Sequence, residues 1–277
     1  MAGIVKESHS GQPGPDGKPL VIMEGKGKLV GWGTTGVAQL TSTGVVVKTP
    51  WEGEDAAQCR KDMLTEARVY QRLGRHPRLV ALLDWDPEHY TLTLEYMPNG
   101  SLRDYLKADP NGISAVQRLT WAKEAAEGVQ LLHSANVIHC DVGPRNFLVG
   151  GDLGLRIADF SGSSLDGSRA SACPGIRFTR PGFDWRTAPR VQDDIFSLGS
   201  TIYTLIMGQE PFRELDSDEV ETRYAAHTFP DVTDQPCSDI VQACWEGSIS
   251  SAQEVVDLLA AKLSTAKEKG QFCQGCV

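Results

Sequence analysis

The sequence predicts an α+β fold in which a small β-rich part precedes a larger, mainly helical part. Short apolar segments separated by glycine-containing turns fill residues 28–48, and similar strand-like segments recur at 82–96. After a Pro98-Asn99-Gly100 turn the pattern changes, because apolar residues recur at helical spacing over residues 114–134. The boundary between the two parts therefore lies near residues 97–100.

Composition limits the class of protein. A chain of 277 residues with 40% hydrophobic content can bury a core as one large domain or two lobes. The formal charge of −9 argues against a nucleic-acid binder that depends on phosphate contacts. The seven cysteines are scattered and odd in number, which favours a reducing compartment. Cys273 and Cys276 are the only close pair, and we interpret them as part of a solvated tail.

Targeting signals are not evident. The N-terminus lacks the apolar run of a signal peptide, and no window approaches eighteen consecutive apolar residues. We therefore expect a soluble intracellular protein, cytoplasmic or nuclear, with no membrane partner. Residues 8–19 are rich in Gly and Pro, and they predict a flexible N-terminal arm.

Three polar residues stand at the ends of a predicted hairpin. Asp141 and Asn146 precede a short apolar strand, a Gly150-Gly151-Asp152 turn follows, and the returning strand, residues 155–158, leads to Asp159. Such a hairpin can hold the two carboxylates and the amide at one edge. None of the three suits an apolar strand end, so each needs a partner such as a divalent metal or a proton donor.

The joint spacing of these residues resembles a known family. His139-x-Asp141-x-x-x-x-Asn146, followed after thirteen residues by Asp159-Phe160, is similar to the catalytic and metal-binding loops of the eukaryotic protein kinases. The resemblance implies that Asp141 accepts the proton of a substrate hydroxyl. It also implies that Asn146 and Asp159 hold Mg²⁺ against the phosphates of ATP.

A glycine-rich hairpin supports the same family. Gly31-x-Gly33-x-x-Gly36 would open a helix in a dinucleotide-binding fold, but here residues 37–40 and a second turn follow. The segment therefore resembles the kinase loop that lies over the nucleotide phosphates. In that family Lys48 reaches the phosphates. The residues that the resemblance places around adenine are Ala38, Val46, Leu94, Glu95, Met97 and Leu148.

A predicted helix over residues 54–73 brings a possible partner for Lys48. Met63, Ala67 and Tyr70 mark its apolar face, and Glu66 lies on or beside that face. A carboxylate on a buried side requires a cation, and the family pairs it with the lysine. Further along, Asp194 opens an apolar helix that resembles the kinase helix whose Asp binds the catalytic-loop backbone. An Asp at this position would also suit an N-terminal helix cap.

Four positions depart from the family pattern. Cys140 replaces the Arg that binds a phosphorylated activation segment, so we predict no switch of that type. Gly143 replaces the catalytic-loop Lys, but Arg145 matches the Arg of tyrosine-kinase loops and supplies a cation. Ser161 replaces the Gly of Asp-Phe-Gly, which predicts a less mobile Phe160. Gly182 stands where the family has a Glu that pairs with a late Arg. That Arg is also absent here, since no Arg follows Arg223.

Together these features predict a bilobal protein-kinase-like fold, with a β-rich N-lobe (residues 28–97, one helix), a helical C-lobe (98–263), an arm (1–27) and a tail (264–277). The implied activity transfers phosphate from ATP, with Mg²⁺, to a protein hydroxyl. Arg145 favours Tyr, but most of the family favours Ser or Thr, which we expect here. One alternative is a pseudokinase acting as a nucleotide-binding scaffold, and another is an aminoglycoside-type phosphotransferase, whose loop has similar spacing.

Overall fold

The computed structural model describes residues 27–110 and 112–273, with side chains as far as residue 266. Among these, the residues up to Arg68 together with Ala81–Tyr96 form one compact unit, and Val69–Val80 with the residues from Met97 onward form another. The chain thus passes between the units after Tyr96, and the second unit also contains residues 69–80. The predicted N-terminal arm lies almost wholly outside the described residues.

The first unit is built on an antiparallel sheet. Its five strands are β1 (Lys28–Trp32), β2 (Gly36–Leu40), β3 (Val45–Pro50), β4 (Leu82–Asp86) and β5 (Thr91–Glu95), in the order β1-β2-β3-β5-β4. The alternating apolar residues and glycine turns of residues 28–48 produce the first three strands in sequence. This sheet and the helical remainder of the chain confirm the predicted α+β class.

Helix α1 (Ala56–Leu73) follows the sheet's third strand. It begins two residues later than predicted, so Glu54 precedes the helix and does not lie in its first turn. Met63, Ala67 and Tyr70 are 0%, 0% and 2% exposed, as their spacing predicts.

The second unit is mainly helical. Ser101 caps α2 (Leu102–Ala108) by accepting from the Asp104 backbone, and Ser114 caps α3 in the same way. The remaining helices are α3 (Ala115–Ser134), α4 (Val191–Met207), α5 (Ser217–Ala225), α6 (Ser238–Glu246) and α7 (Ala252–Cys273). The core lies where α3 packs against α4 and α7, and it includes the fully buried Trp121 and Leu132. No helix in the described part of the chain is both long enough and apolar enough to span a bilayer.

Two small β-ladders position the loops of the second unit. Strand β7 (Phe147–Val149) pairs antiparallel with β8 (Leu155–Ile157), which is the predicted hairpin. Strand β6 (Val137–Ile138) pairs with β9 (Ser164–Leu165), and this pairing was not predicted. The structure also lengthens two helices, because α4 begins at Val191, before Asp194, and α7 continues to Cys273, where a tail from residue 264 was predicted.

Candidate active site

The glycines of the first hairpin have different roles. The Gly33 N–H donates to the Gly36 carbonyl at 3.0 Å and closes the β1–β2 turn. A β-carbon at Gly36 would lie 2.1 Å from the Thr49 carbonyl oxygen, so only glycine allows this strand approach. A β-carbon at Gly33 would meet nothing within 4 Å. Gly33 therefore leaves one side of the loop backbone bare, as close contact with phosphate oxygens requires.

Trp51 supports the glycine loop and was not predicted as a site residue. Its indole Nε1 donates to the Gly33 carbonyl at 2.8 Å, and its backbone N–H donates to the Thr35 carbonyl at 3.2 Å. The sequence offers no signal for this contact, because a tryptophan after Pro50 has no periodic relation to the glycines.

Lys48 and Glu66 form the predicted ion pair in the first unit. The Lys48 Nζ lies 2.7 Å from Oε2 of Glu66, and the two side chains are 13% and 1% exposed. Helix α1 directs Glu66 inward beside Met63 and Ala67, where an ionised carboxylate is stable only with a cation. The pair fixes the lysine ammonium on one face of the sheet.

The same face carries the small and apolar residues predicted to contact adenine. The strand register places Ala38 opposite both Gly31 and Lys48, and Val46 opposite Leu94. Residues directly opposite one another on paired strands share a face. The sheet therefore presents an apolar surface next to one ammonium group, which suits a flat heterocycle linked to an anion.

The residues predicted to lie around adenine are divided between the two units. Leu94 and Glu95 belong to the first unit, where the Glu95 N–H donates to the Ala81 carbonyl at 2.9 Å. Met97 belongs to the second unit, and its carbonyl accepts from Gly100 at 3.1 Å in the turn before α2. Leu148 also lies in the second unit, half-buried on β7.

Asp141 is held by its own loop. Nη2 of Arg145 lies 2.6 and 2.7 Å from the two carboxylate oxygens of Asp141. The Asn146 amide Nδ2 donates to the backbone carbonyl of Asp141 at 2.7 Å and to its Oδ2 at 2.9 Å. The Asn146 N–H donates in turn to the Gly143 carbonyl at 3.0 Å. Three of the predicted residues thus meet around one carboxylate.

The protonation of Asp141 reflects two opposing effects. Burial raises the pKa of the Asp141 carboxyl above its ordinary value, because the charged form loses hydration. The positive charge and hydrogen bonds of Arg145, and the Asn146 amide, oppose that rise. The result is a carboxylate with a higher proton affinity than a solvated Asp, which favours its use as a base.

Asp159 approaches the same end of the β7–β8 hairpin as Asn146. The Ala158 N–H donates to the Asn146 carbonyl at 2.9 Å, so the residues on either side of the hairpin are tied together. Asp159 adopts a left-handed backbone conformation, with φ of 65°, which is uncommon for a non-glycine residue. The Ser161 hydroxyl donates to Oδ1 of Asp159 at 3.1 Å.

Phe160 is fixed by aromatic neighbours. Its ring is fully buried and packs edge-on against Tyr70 at 4.9 Å and against His139 at 5.6 Å between centroids. Nε2 of His139 lies 3.1 Å from the Ala158 carbonyl oxygen. These contacts connect the predicted catalytic loop, residues 139–146, to the Asp159 segment inside the second unit.

Asp194 holds the catalytic-loop backbone, as predicted. Its Oδ2 accepts from the His139 N–H at 2.8 Å, and its Oδ1 accepts from the Cys140 N–H at 2.9 Å. Nε2 of His133 lies 2.9 Å from the same Oδ2. Asp194 does not take the capping role, which Asp193 fills by accepting from the Arg190 N–H at 2.9 Å.

The segment after Phe160 is ordered by contacts that need no phosphate. Arg72 makes two contacts with the Asp166 carboxylate, at 2.6 and 2.8 Å, and the Ser163 hydroxyl donates to the His139 carbonyl at 3.2 Å. Cys140 is 5% exposed, and burial raises the pKa of its thiol well above the ordinary range. The absence of a phosphate-dependent switch remains a prediction.

The donor chemistry fits the predicted cofactors. Mg²⁺ prefers oxygen ligands and is commonly held by one or two side chains together with substrate phosphates. The amide oxygen of Asn146 and the carboxylate of Asp159 supply such donors from one end of a hairpin. Within residues 27–110 and 112–266, no three His, Cys, Asp or Glu side chains converge as a metal site on their own.

Comparison with known proteins supports the resemblance. The chain is 29% identical over 227 residues to the cytoplasmic tyrosine-protein kinase BMX of Mus musculus, which covers 73% of this chain and 34% of that protein. It is 24% identical over 249 residues to the probable serine/threonine-protein kinase SIS8 of Arabidopsis thaliana, covering 80% and 24%. It is 31% identical over 231 residues to the human tyrosine-protein kinase ABL2, covering 77% and 19%.

These relatives include both tyrosine and serine/threonine kinases, and the chain spans between about a fifth and a third of their length. The family described as protein tyrosine and serine/threonine kinase matches residues 24–260. Because that match covers most of the chain, the protein belongs to the protein tyrosine and serine/threonine kinase family.

Proposed function

We propose that the protein is an ATP- and Mg²⁺-dependent protein kinase that transfers the γ-phosphoryl group to a protein hydroxyl. The observation that carries this proposal is the arrangement around Asp141, where Arg145 and Asn146 orient one carboxylate. A structural loop would not need to fix a carboxylate of raised pKa with both a cation and an amide. A base that accepts a hydroxyl proton needs this orientation.

Each remaining side chain has a role in the proposal. Mg²⁺, when bound, neutralises charge on the transferring phosphoryl group. Asn146 and Asp159 supply the oxygen ligands that hold it, and Arg145 adds positive charge beside the base. Lys48, fixed by Glu66, binds the phosphates of the nucleotide.

Nucleotide recognition rests on the face of the sheet that carries Lys48. Gly33 brings bare backbone to the phosphates, within the loop that Gly31 and Gly36 enclose. The residues proposed to contact adenine are Ala38, Val46, Leu94, Glu95, Met97 and Leu148. The proposed N-lobe, residues 28–97, carries Lys48 and the glycine-rich hairpin. The proposed C-lobe, residues 98–263, carries the base and the metal ligands.

The acceptor is proposed to be Ser or Thr, although Arg145 favours Tyr and the relatives include both classes. Family membership favours a protein acceptor over an aminoglycoside-type small molecule. A cytoplasmic or nuclear location is part of the proposal. It is supported by the free thiols of Cys59, Cys140, Cys173, Cys237 and Cys244.

A second function, a nucleotide-binding scaffold with little transfer activity, is favoured by two contacts. Arg145 contacts both oxygens of the proposed base, and the Ser161 hydroxyl occupies an oxygen of the proposed metal ligand Asp159. Both contacts compete with the groups that catalysis would use. In this case the nucleotide would bind without turnover.

Phosphate transfer from radiolabelled ATP separates these functions. The protein is assayed with mixed protein substrates and Mg²⁺ or Mn²⁺, beside Asp141→Asn and Asp159→Asn. Asp152→Asn is the matched control, since Asp152 lies in the exposed β7–β8 turn. We expect transfer by the wild type and the control, and a loss of at least about 10³-fold in both site variants. Nucleotide binding by calorimetry without transfer would support the scaffold instead.

A further inference from the structure

The segment that follows the proposed metal ligand has a charge opposite to that of the whole protein. Residues 167–190 contain five Arg and one Asp, so this segment carries +4. The whole chain carries −9, and the other residues therefore carry −13. A cationic strip on an acidic protein attracts anionic groups locally and leaves most of the surface repulsive to them.

Only some of these arginines are satisfied within the protein. Arg177 donates to the carbonyls of Phe212 and Leu215, and Arg180 pairs with Asp193. Arg169, Arg186 and Arg190 are exposed.

Arg169 and Arg186 share an aromatic support. Their guanidinium groups lie 5.3 and 5.4 Å from the ring centroid of Trp185, which is 59% exposed. The indole orients both groups but leaves their positive charges without a carboxylate partner in this contact. Two exposed cations thus lie against one indole on the surface of the second unit.

A cavity of about 250 Å³ beside the proposed base is also basic. Its lining includes Arg103, Arg145 and Arg177 against Asp141 and Glu210, which gives it a net charge of +1. Gly143 opens the cavity, since a β-carbon there would meet only Phe178, at 3.9 Å. The position that carries a lysine in most kinase loops is therefore space for a ligand.

Arg103 is placed at this cavity by the backbone. Its N–H donates to the Pro144 carbonyl at 3.0 Å, which joins the first turn of α2 to the catalytic loop. Its side chain is 45% exposed, and its Nε lies 3.5 Å from Oδ1 of the exposed Asp104. Such a pair is weak in water, so a ligand anion can replace it.

We propose that the acceptor hydroxyl lies in an acidic peptide segment, with a carboxylate or phosphate on a neighbouring residue bound by Arg103. Further anionic residues of that segment contact Arg169 and Arg186. This inference rests on the proposed kinase function and specifies its substrate. Guanidinium groups suit both anions, because they donate paired hydrogen bonds in a fixed plane.

The test uses one acceptor peptide with Glu, Gln, Lys or phosphoserine at each position within four residues of the hydroxyl. For the wild type we expect kcat/KM to be about 10-fold higher with a suitably placed Glu or phosphoserine than with Gln. Arg103→Gln should reduce that ratio to near one, and Arg103→Glu should reverse it towards Lys peptides. Arg75→Gln, at an exposed loop position away from the cavity, is the matched control and should keep the wild-type ratio.

The Glu and phosphoserine arms identify the source of the anion. Equal kcat/KM for Glu, Gln and phosphoserine peptides would overturn the inference, as would a preference that survives Arg103→Gln. Competition by a single-stranded oligonucleotide with no dependence on peptide charge would also overturn it, in favour of a nucleic-acid site.

Fluorescence anisotropy with the same peptides separates this inference from the proposed function. If no peptide is phosphorylated but Glu peptides still bind more tightly than Gln peptides through Arg103, the kinase function fails and the anionic site stands. If transfer occurs without any charge preference, the kinase function stands and the anionic site fails.

Discussion

Nε of Arg180 lies 2.9 Å from Oδ1 of Asp193, and this pair ties the segment that follows Phe160 to the first turn of α4. Asp193 is 5% exposed, and its other carboxylate oxygen accepts from the Arg190 N–H at 2.9 Å. In the family, an ion pair between a Glu and an Arg joins this region. Gly182 occupies the position of that Glu here, and the Arg is also missing. In the Arg180–Asp193 pair the charges are reversed relative to the family's pair. The cation lies on the segment that follows Phe160, and the carboxylate lies on α4.

Replacing Arg180 with Met should therefore destabilise the protein. The change leaves Asp193 buried with one hydrogen bond and no cation, which should cost about 2 kcal/mol of unfolding free energy. Urea denaturation gives the measurement. Arg190→Met is the matched control, because Arg190 contributes its backbone N–H, and it should change the free energy by less than about 0.5 kcal/mol. Equal losses in both variants would show that the ion pair contributes nothing.

Asp194→Asn tests the anchor of the catalytic loop. The amide keeps the shape of the side chain but can accept fewer bonds from the His139 and Cys140 N–H groups, and it removes the charge that strengthens them. We expect a loss of about 1.5–3 kcal/mol in stability and a larger fall in kcat than in ATP affinity. Urea denaturation and steady-state kinetics measure the two effects.

Wild-type kcat in Asp194→Asn would contradict the role of Asp194 as the anchor of the loop. A control is Asp239→Asn, since Asp239 lies in an exposed pair with Lys262 on another helix. That variant should keep both stability and kcat close to those of the wild type.

Ser161→Ala tests whether the hydroxyl competes with metal at Asp159. The Ser161 hydroxyl donates to Oδ1 at 3.1 Å, and a net hydrogen bond of about 1 kcal/mol corresponds to roughly a 5-fold change in binding. The Mg²⁺ concentration for half-maximal activity should fall by about that factor. Ser168→Ala, in the segment that follows, is the control. A rise in the Mg²⁺ requirement would instead indicate that the serine supports the metal site.

The sequence predicted long elements better than short ones. Helix α3 and the β1–β3 strands carry enough residues for their periodicity to be visible, and Asp141, Asn146 and Asp159 follow a spacing that fixes their relation to one hairpin. The β6–β9 ladder has two residues in each strand, which is too few to show alternation.

Several site contacts depend on residues that are distant in the chain. Arg72 and Asp166 meet across 94 positions, and Trp51 supports the glycine loop through a backbone carbonyl. Side chains of this kind have many possible partners in the sequence, and only tertiary packing selects one. For the same reason the Arg180–Asp193 pair was not predicted. The absence of the family's Glu at position 182 does not indicate that a different ion pair forms nearby.

Arg145 should set the lower pH limit of activity. Burial raises the pKa of Asp141, and the positive charge and hydrogen bonds of Arg145 oppose that rise, as do His139 and Asn146. Removing the cation in Arg145→Met disfavours the charged carboxylate, so the pKa of Asp141 should rise further. A base must be deprotonated to act, so activity falls when Asp141 becomes protonated at low pH. In Arg145→Met this loss should occur at a higher pH than in the wild type.

The measurement is kcat/KM against pH for the wild type and Arg145→Met. At a pH well above both limits, activity should also fall by about 10²-fold, because a cation beside the transferring phosphoryl group is missing. Arg145→Lys restores a charge without the same double contact and should move the acidic limit part of the way back. An unchanged acidic limit in Arg145→Met would mean that Asp141 is not the group whose protonation stops the reaction.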